Sequence, residues 1–314
     1  ELGALTTTQA AGLTSTQLSN LAATQVTGIS TTAIKTLGAN QLSGISSTRL
    51  GALTTTQIDY LTSTQMAALT STQVGGLTST QLNSLDTTQI TGITTTAVAN
   101  LTTTQIGGLT STLVGGLTAN QFSAITAADL AAMTTTQLDG LTSTEVGLLT
   151  TTQIANLTTT QISSLDATQA AGLKSTVLSG FTTTQLGALS SDDVGALATT
   201  ALSGLSTTNL IALTTTQLSG LSSTQLGALT TTQVANLTTT QLANLAVTQL
   251  NGMSSTQVGA FTSTQVNNLT TTEISSLTTS QVKGFTTTVL AGLTTTALAG
   301  ITSDQVGVIT TTQL

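Results

Sequence analysis

The chain contains no cysteine, histidine, proline or tryptophan, and only 5% of its 314 residues are charged. Each shortage removes a class of chemistry. Without cysteine there is no disulfide, no thiolate nucleophile and no thiolate metal site. Without histidine there is no imidazole base and no imidazole ligand. Four basic residues cannot neutralise a phosphate backbone, which excludes nucleic acid as a partner. The net charge of −7 is spread thinly and forms no acidic tail. Mean hydropathy is +0.34, yet no apolar run approaches the ~18 residues of a membrane span. Disorder fits badly, because 38% apolar content with so little charge opposes the usual disordered composition. The sequence shows no secretion leader and starts at Glu1, which suggests a segment of a longer protein.

What is present is repetition. A Leu or a similar residue opens a unit at Leu5, Leu13, Leu21, Ile29, Leu37 and onward to Ile309, always eight residues apart, 39 times. The consensus is Leu-Thr-Thr-Thr-Gln-(Leu/Ile/Val)-x-small, and the sixth position is aliphatic or Phe almost everywhere, with Ala10 and Ala170 as exceptions. No insertion breaks the phase, so residues 1–314 read as one continuous array without linkers. A second period overlies the first. Glycine at the eighth position falls mainly in alternate octads, as at Gly12, Gly28, Gly44, Gly76, Gly92 and Gly108. The expected coil is therefore a pair of octads, similar but inequivalent.

One continuous α-helix is excluded. Eight residues at about 100° each leave an offset of roughly 80° per unit, so the apolar stripe would circle the helix. One flat strand is excluded as well, because positions one and six have opposite parity. Short helical turns fit better. Thr at position two serves as N-cap and Gln at position five as its capping-box partner, while the aliphatics at positions one and six form a hydrophobic staple. Leu53-Thr54-Thr55-Thr56-Gln57-Ile58 carries every element. Gly or Asn at position eight suits a left-handed helix end. The exceptions agree: Asp86 and Asp166 stand at the cap, Asp192 and Asp304 at position four, and Asp129, Glu145, Asp193 and Glu273 at position five. Acids favour these sites at a helix start. Lys174 at the cap and Arg49 at position five do not fit.

The fold expected is an all-α solenoid of short capped turns. The alternative is a parallel β-solenoid, in which β-branched Thr would suit the strands but the acid placement would go unexplained. In either fold the core rows include Leu53, Ile58, Leu101, Ile106, Leu157, Ile162, Leu237 and Leu242, and the capping residues include Thr54, Gln57, Asp86 and Asp166. Phe122, Phe181, Phe261 and Phe285 occupy core positions, and Tyr60 occupies a small-residue position that faces outward.

Candidate chemistry is sparse. Asp192–Asp193 is the one adjacent acid pair and reads as two helix-start acids. Threonine hydroxyls lack a base to activate them. The Gly75-Gly76, Gly107-Gly108 and Gly115-Gly116 pairs lack the spacing and lysine of a phosphate loop. No catalytic, cofactor or metal residue is assigned, and no enzyme activity is expected. Asn100, Asn156, Asn236 and Asn268 each open an Asn-Leu-Thr triplet that matches the glycosylation pattern. In the β alternative, positions two and four would display a Thr-x-Thr ladder similar to that of ice-binding solenoids.

The unbroken Leu-Thr-Thr-Thr-Gln-aliphatic octads resemble the repeat tracts of giant bacterial surface and secreted proteins, adhesin-like or filament-forming. That resemblance implies an extracellular or cell-surface location and carries no functional residue across. The function expected is structural: an array that forms or spaces a filament, sheath or stalk and associates with copies of itself. The alternative is a module that adheres to ice or glycan surfaces through its threonines.

Overall fold

The computed structural model describes residues 2–313; Glu1 and Leu314 lie outside the described residues. The chain divides into two compact units, residues 1–148 and 149–314, built in the same way. The described residues contain 38 α-helices, each of four to six residues and set one to an octad, and a 3-10 turn at Leu2–Ala4. No strand occurs among them. The chain is an all-α solenoid, and the β alternative is not adopted.

Each octad makes its turn for local reasons. The residue at position two is extended, with Thr54 at φ −69°, ψ 155°, and its hydroxyl accepts the Gln57 N–H at 3.2 Å. The helix Thr55–Asp59 follows. A helix ends where the next aliphatic returns to extended backbone, as Leu69 does at φ −72°, ψ 136° after the helix Ser63–Ala68. That aliphatic closes the turn by donating its N–H to the position-six carbonyl, Leu61 to Ile58 at 3.0 Å. One octad is thus a short helix and a short extended link.

Positions one, five and six point inward. Leu53, Ile58, Leu101 and Ile106 are buried in the first unit, and Leu157, Ile162, Leu237 and Leu242 in the second. The four Phe residues are buried too, while Tyr60 is 44% exposed. Burial is completed by the neighbouring coil. Leu298 and Val306 hold the same position six near residue 313 and are 58% and 54% exposed, with no later coil over them among the described residues.

The coil is longer than the two octads expected. Helices pack against the third helix along, such as Ser63–Ala68 on Thr87–Gly92 and Ser191–Ala196 on Thr215–Ser219. Side-chain bonds between coils span 25 to 31 residues, and those of the glutamines 28 to 31. One circuit therefore takes three octads and part of a fourth. The two-octad period has a different origin. Three is odd, so packing of a helix on the third along brings an octad of one class onto an octad of the other.

The glycines show how. None has positive φ, so the left-handed helix end expected from position eight does not form; Gly76 sits at φ −81°, ψ −13°. Glycine is required there by close approach. A Cβ on Gly76 would lie 2.6 Å from both Cβ and O of Ser47, one coil earlier. Gly44 meets Ser15, Gly204 meets Ser175, Gly220 meets Ser191 and Gly252 meets Ser223 in the same way. The pairing is written in the chain: every position-three serine from Ser15 to Ser263, except Ser71, has a glycine at the place that Gly44 takes relative to Ser15. A second row of glycines extends the contact. The Cβ directions of Gly51, Gly115 and Gly195 are blocked by the carbonyls of Gly76, Gly140 and Gly220 on the following coil.

This packing makes a paired forecast. Gly220→Ala drives a methyl into the Ser191 backbone and should cost ~1–3 kcal/mol, the usual range for overpacking. Gly75→Ala meets nothing within 4 Å at a helix end and should be neutral or stabilising by up to ~1 kcal/mol. Thermal unfolding followed by circular dichroism reads both; equal effects would contradict the packing.

Candidate functional site

The residue that does most in each octad is the glutamine at position five, and it does two things at once. Its Oε1 accepts the N-cap backbone N–H, as Gln57 does from Thr54 at 2.9 Å. Its Nε2 crosses to the previous coil. Gln57 Nε2 donates to the carbonyl of Ile29 at 2.7 Å and that of Thr27 at 3.0 Å. Gln137 donates to Ile106 and Leu109 at 2.8 and 2.7 Å. Gln241 donates to Leu210 and Leu213 at 3.1 and 2.8 Å. The same pattern recurs at Gln73, Gln121, Gln185, Gln217 and Gln281. Those amides are buried, so each bond is made in a low-dielectric interior where an unmade one is costly.

The capping role was legible in the sequence; the bridging role was missed. A signal for it exists. A capping box accepts Glu as readily as Gln, yet position five is Gln in 26 octads and Glu in two. Only the amide supplies a donor to the neighbouring coil. Two of the substitutions meet the same need. Arg49, which fits no helix-start rule, donates its Nε to the carbonyl of Leu21, 28 residues earlier. Asn209 Nδ2 reaches the carbonyl of Phe181 at 3.1 Å, again 28 residues earlier.

The other assigned residues fall as follows. Asp86 and Asp166 each accept a position-five N–H, from Gln89 at 2.7 Å and Gln169 at 2.8 Å. Lys174 stands at an N-cap and makes no side-chain cap bond. In the Asp192–Asp193 pair, Asp193 is buried and accepts the Ser190 N–H at 2.8 Å, while Asp192 is exposed. Asn100, Asn236 and Asn268 are exposed and donate to carbonyls four residues back. No group of acids among the described residues could hold a metal ion. The Thr-x-Thr ladder is not formed, because position-two hydroxyls are spent on caps inside helical turns. Positions three and four carry the outward threonines.

One surface groove departs from the repeat. It measures 510 Å³ and gathers Lys35, Asp59, Tyr60 and Asp86 with Thr62 and Thr88. Three of the few charges and the single tyrosine of the chain meet there. Asp86 is already engaged as a cap through Oδ1.

Residues 34–71, 50–79, 122–159, 202–239 and 235–271 match the ALTTAQ repeat family model. Comparison with curated proteins gives no match. No helix among the described residues is long and apolar enough to cross a membrane.

The double role of glutamine sets a ranking. Thr238→Ala removes one cap acceptor and should cost ~1 kcal/mol. Gln241→Leu removes the cap acceptor and strands two buried carbonyls, so it should cost more, ~2–4 kcal/mol, from desolvation of unpaired groups. Urea unfolding of the two variants tests the order; a Thr238→Ala effect equal to or larger than that of Gln241→Leu would refute the bridge. By its octads, its turns and its family matches, the chain is a repeat-tract protein similar to ALTTAQ repeats.

Proposed function

We propose that the chain is a structural repeat protein of the cell surface or extracellular space, which forms or spaces a filament, sheath or stalk. In this reading it is not an enzyme, needs no cofactor, and works as one array through residues 1–314. The observation that carries the reading is the consumption of its polar chemistry by its own backbone. Buried polar groups recur at one octad position, and they bind the preceding coil or the local cap. What remains outside is a uniform coat of Thr, Ser, Ala and Gly with few charges. A surface with so little charge repulsion favours lateral association of like copies. Octad phase is unbroken at residue 148, which supports a single array.

A second reading, adhesion to a glycan surface, is favoured by the groove around Tyr60. A half-exposed aromatic ring beside carboxylates and hydroxyls offers stacking and hydrogen bonding to a sugar.

Negative-stain electron microscopy and sedimentation velocity of the purified chain over rising concentration separate the two. Fibres or concentration-dependent growth are expected. A monodisperse monomer at every concentration, together with glycan-array binding abolished by Tyr60→Ala, would favour adhesion.

A further inference from the structure

Glu145 is a position-five residue whose ionised form the bridge cannot use. It occupies position five, is only 4% exposed, and lies in the helix Ser143–Val146. Its Oε2 takes the place of the glutamine oxygen, accepting the Thr142 N–H at 2.7 Å and the Thr142 hydroxyl at 2.8 Å. Its Oε1 is buried and has no hydrogen-bond partner at all. In other octads the atom in that place is an amide nitrogen, and it donates to carbonyls 28 and 31 residues earlier. For Glu145 those residues are Leu117 and Val114. An ionised Oε1 would face acceptors with nothing to donate. A protonated Oε1 has the missing hydrogen.

The surroundings supply no counter-charge within the same unit. The helix Ala119–Ser123, which packs against Ser143–Val146, carries no titratable group, and neither does the octad 109–116. The preceding helix Thr135–Leu138 ends on Asp139, which is exposed and negative. Asp129, two octads earlier, is held by the Thr126 hydroxyl at 2.5 Å. Burial accordingly pushes the Glu145 carboxyl above the ordinary glutamate range, against the two Thr142 bonds that lower it. The other glutamate at position five, Glu273, is bound by Thr270 in the same way through Oε2, at 2.6 and 2.9 Å, but its Oε1 is not among the buried unpartnered atoms.

We propose that Glu145 is a proton-operated latch between successive coils of the first unit: with a proton on Oε1 it donates to the 114–117 turn as glutamine does elsewhere, and on losing that proton to solvent it releases the contact. The sign follows from linkage. The folded state holds the proton more tightly than the unfolded chain, so the contribution to stability is complete below the ordinary glutamate range. It is lost as pH rises through the higher folded value. The coil contact at residue 145 is therefore tightest in acid and loosens as pH rises, opposite to the behaviour of a carboxylate held by a cation. This goes beyond the structural role proposed above and does not depend on it.

The chain has three glutamates, Glu1, Glu145 and Glu273, so selective carbon-13 labelling of glutamate carboxyls gives three resonances to titrate. Glu145→Gln identifies its own signal by removing it. That signal is expected to titrate above the ordinary glutamate range. Glu145→Gln should also raise the midpoint of thermal unfolding by about 2–4 °C at pH 7.5, with the gain vanishing near pH 4. Asp139→Asn, an exposed control, should shift neither. A Glu145 midpoint in the ordinary range, or a Glu145→Gln gain that is absent or the same at both pH values, would overturn the proposal. Glu145→Gln restores the majority residue of the repeat and so is not expected to impair folding.

Discussion

A buried side-chain amide that bonds in two directions holds this molecule together. Octads are too short to persist alone: a helix of four to six residues is well below the ~12–15 at which isolated helices become even marginal in water. Where it is buried, the position-five glutamine ties its own turn's start to the end of a turn one coil away. It thereby makes local capping and long-range stacking a single event. Because its oxygen and nitrogen are fixed by different partners, the amide cannot rotate without breaking both, and the coil offset is set at 28 residues for the nearest carbonyl. The apolar rows at positions one and six supply non-directional burial; the amide supplies register.

The Gly–Ser contact performs the same task by exclusion. Where Gly76 lies on Ser47, or Gly220 on Ser191, two backbones approach so closely that an added methyl has no room. Alternation of the two octad classes follows from the odd number of octads between touching helices. A slip by one octad would bring larger residues onto glycine sites and leave the glycines without close partners.

Much of this was legible in the sequence. Thr54, Gln57, Asp86 and Asp166 announce a helix start by chemistry that acts within four residues, and such chemistry is readable from spacing. The all-α solenoid follows from it. The coil length was not legible in the octad, because nothing local says how many turns close a circuit. The alternation of octads pointed to a two-octad coil, whereas the physical cause is contact between classes three octads apart. Glycine at position eight misled in the same way. It suggested a left-handed cap, a local cause, where the real constraint is Ser47 or Ser191 pressing from another coil. Arg49 illustrates the point in one residue: unfavourable by local rules at a helix start, it is explained once the Leu21 carbonyl is seen to need a donor.

The most direct measurement of the glutamine bridge is hydrogen exchange at the side-chain amides, resolved by nitrogen-15 correlation spectra. Gln9, Gln17 and Gln25 are exposed, whereas Gln57, Gln137, Gln241 and their equivalents are buried with two acceptors each. Two populations are expected: the three exposed amides exchanging at free rates, and the buried set protected to the level of the backbone core. Uniformly fast exchange across all glutamine amides would mean that the coils are held by apolar burial alone.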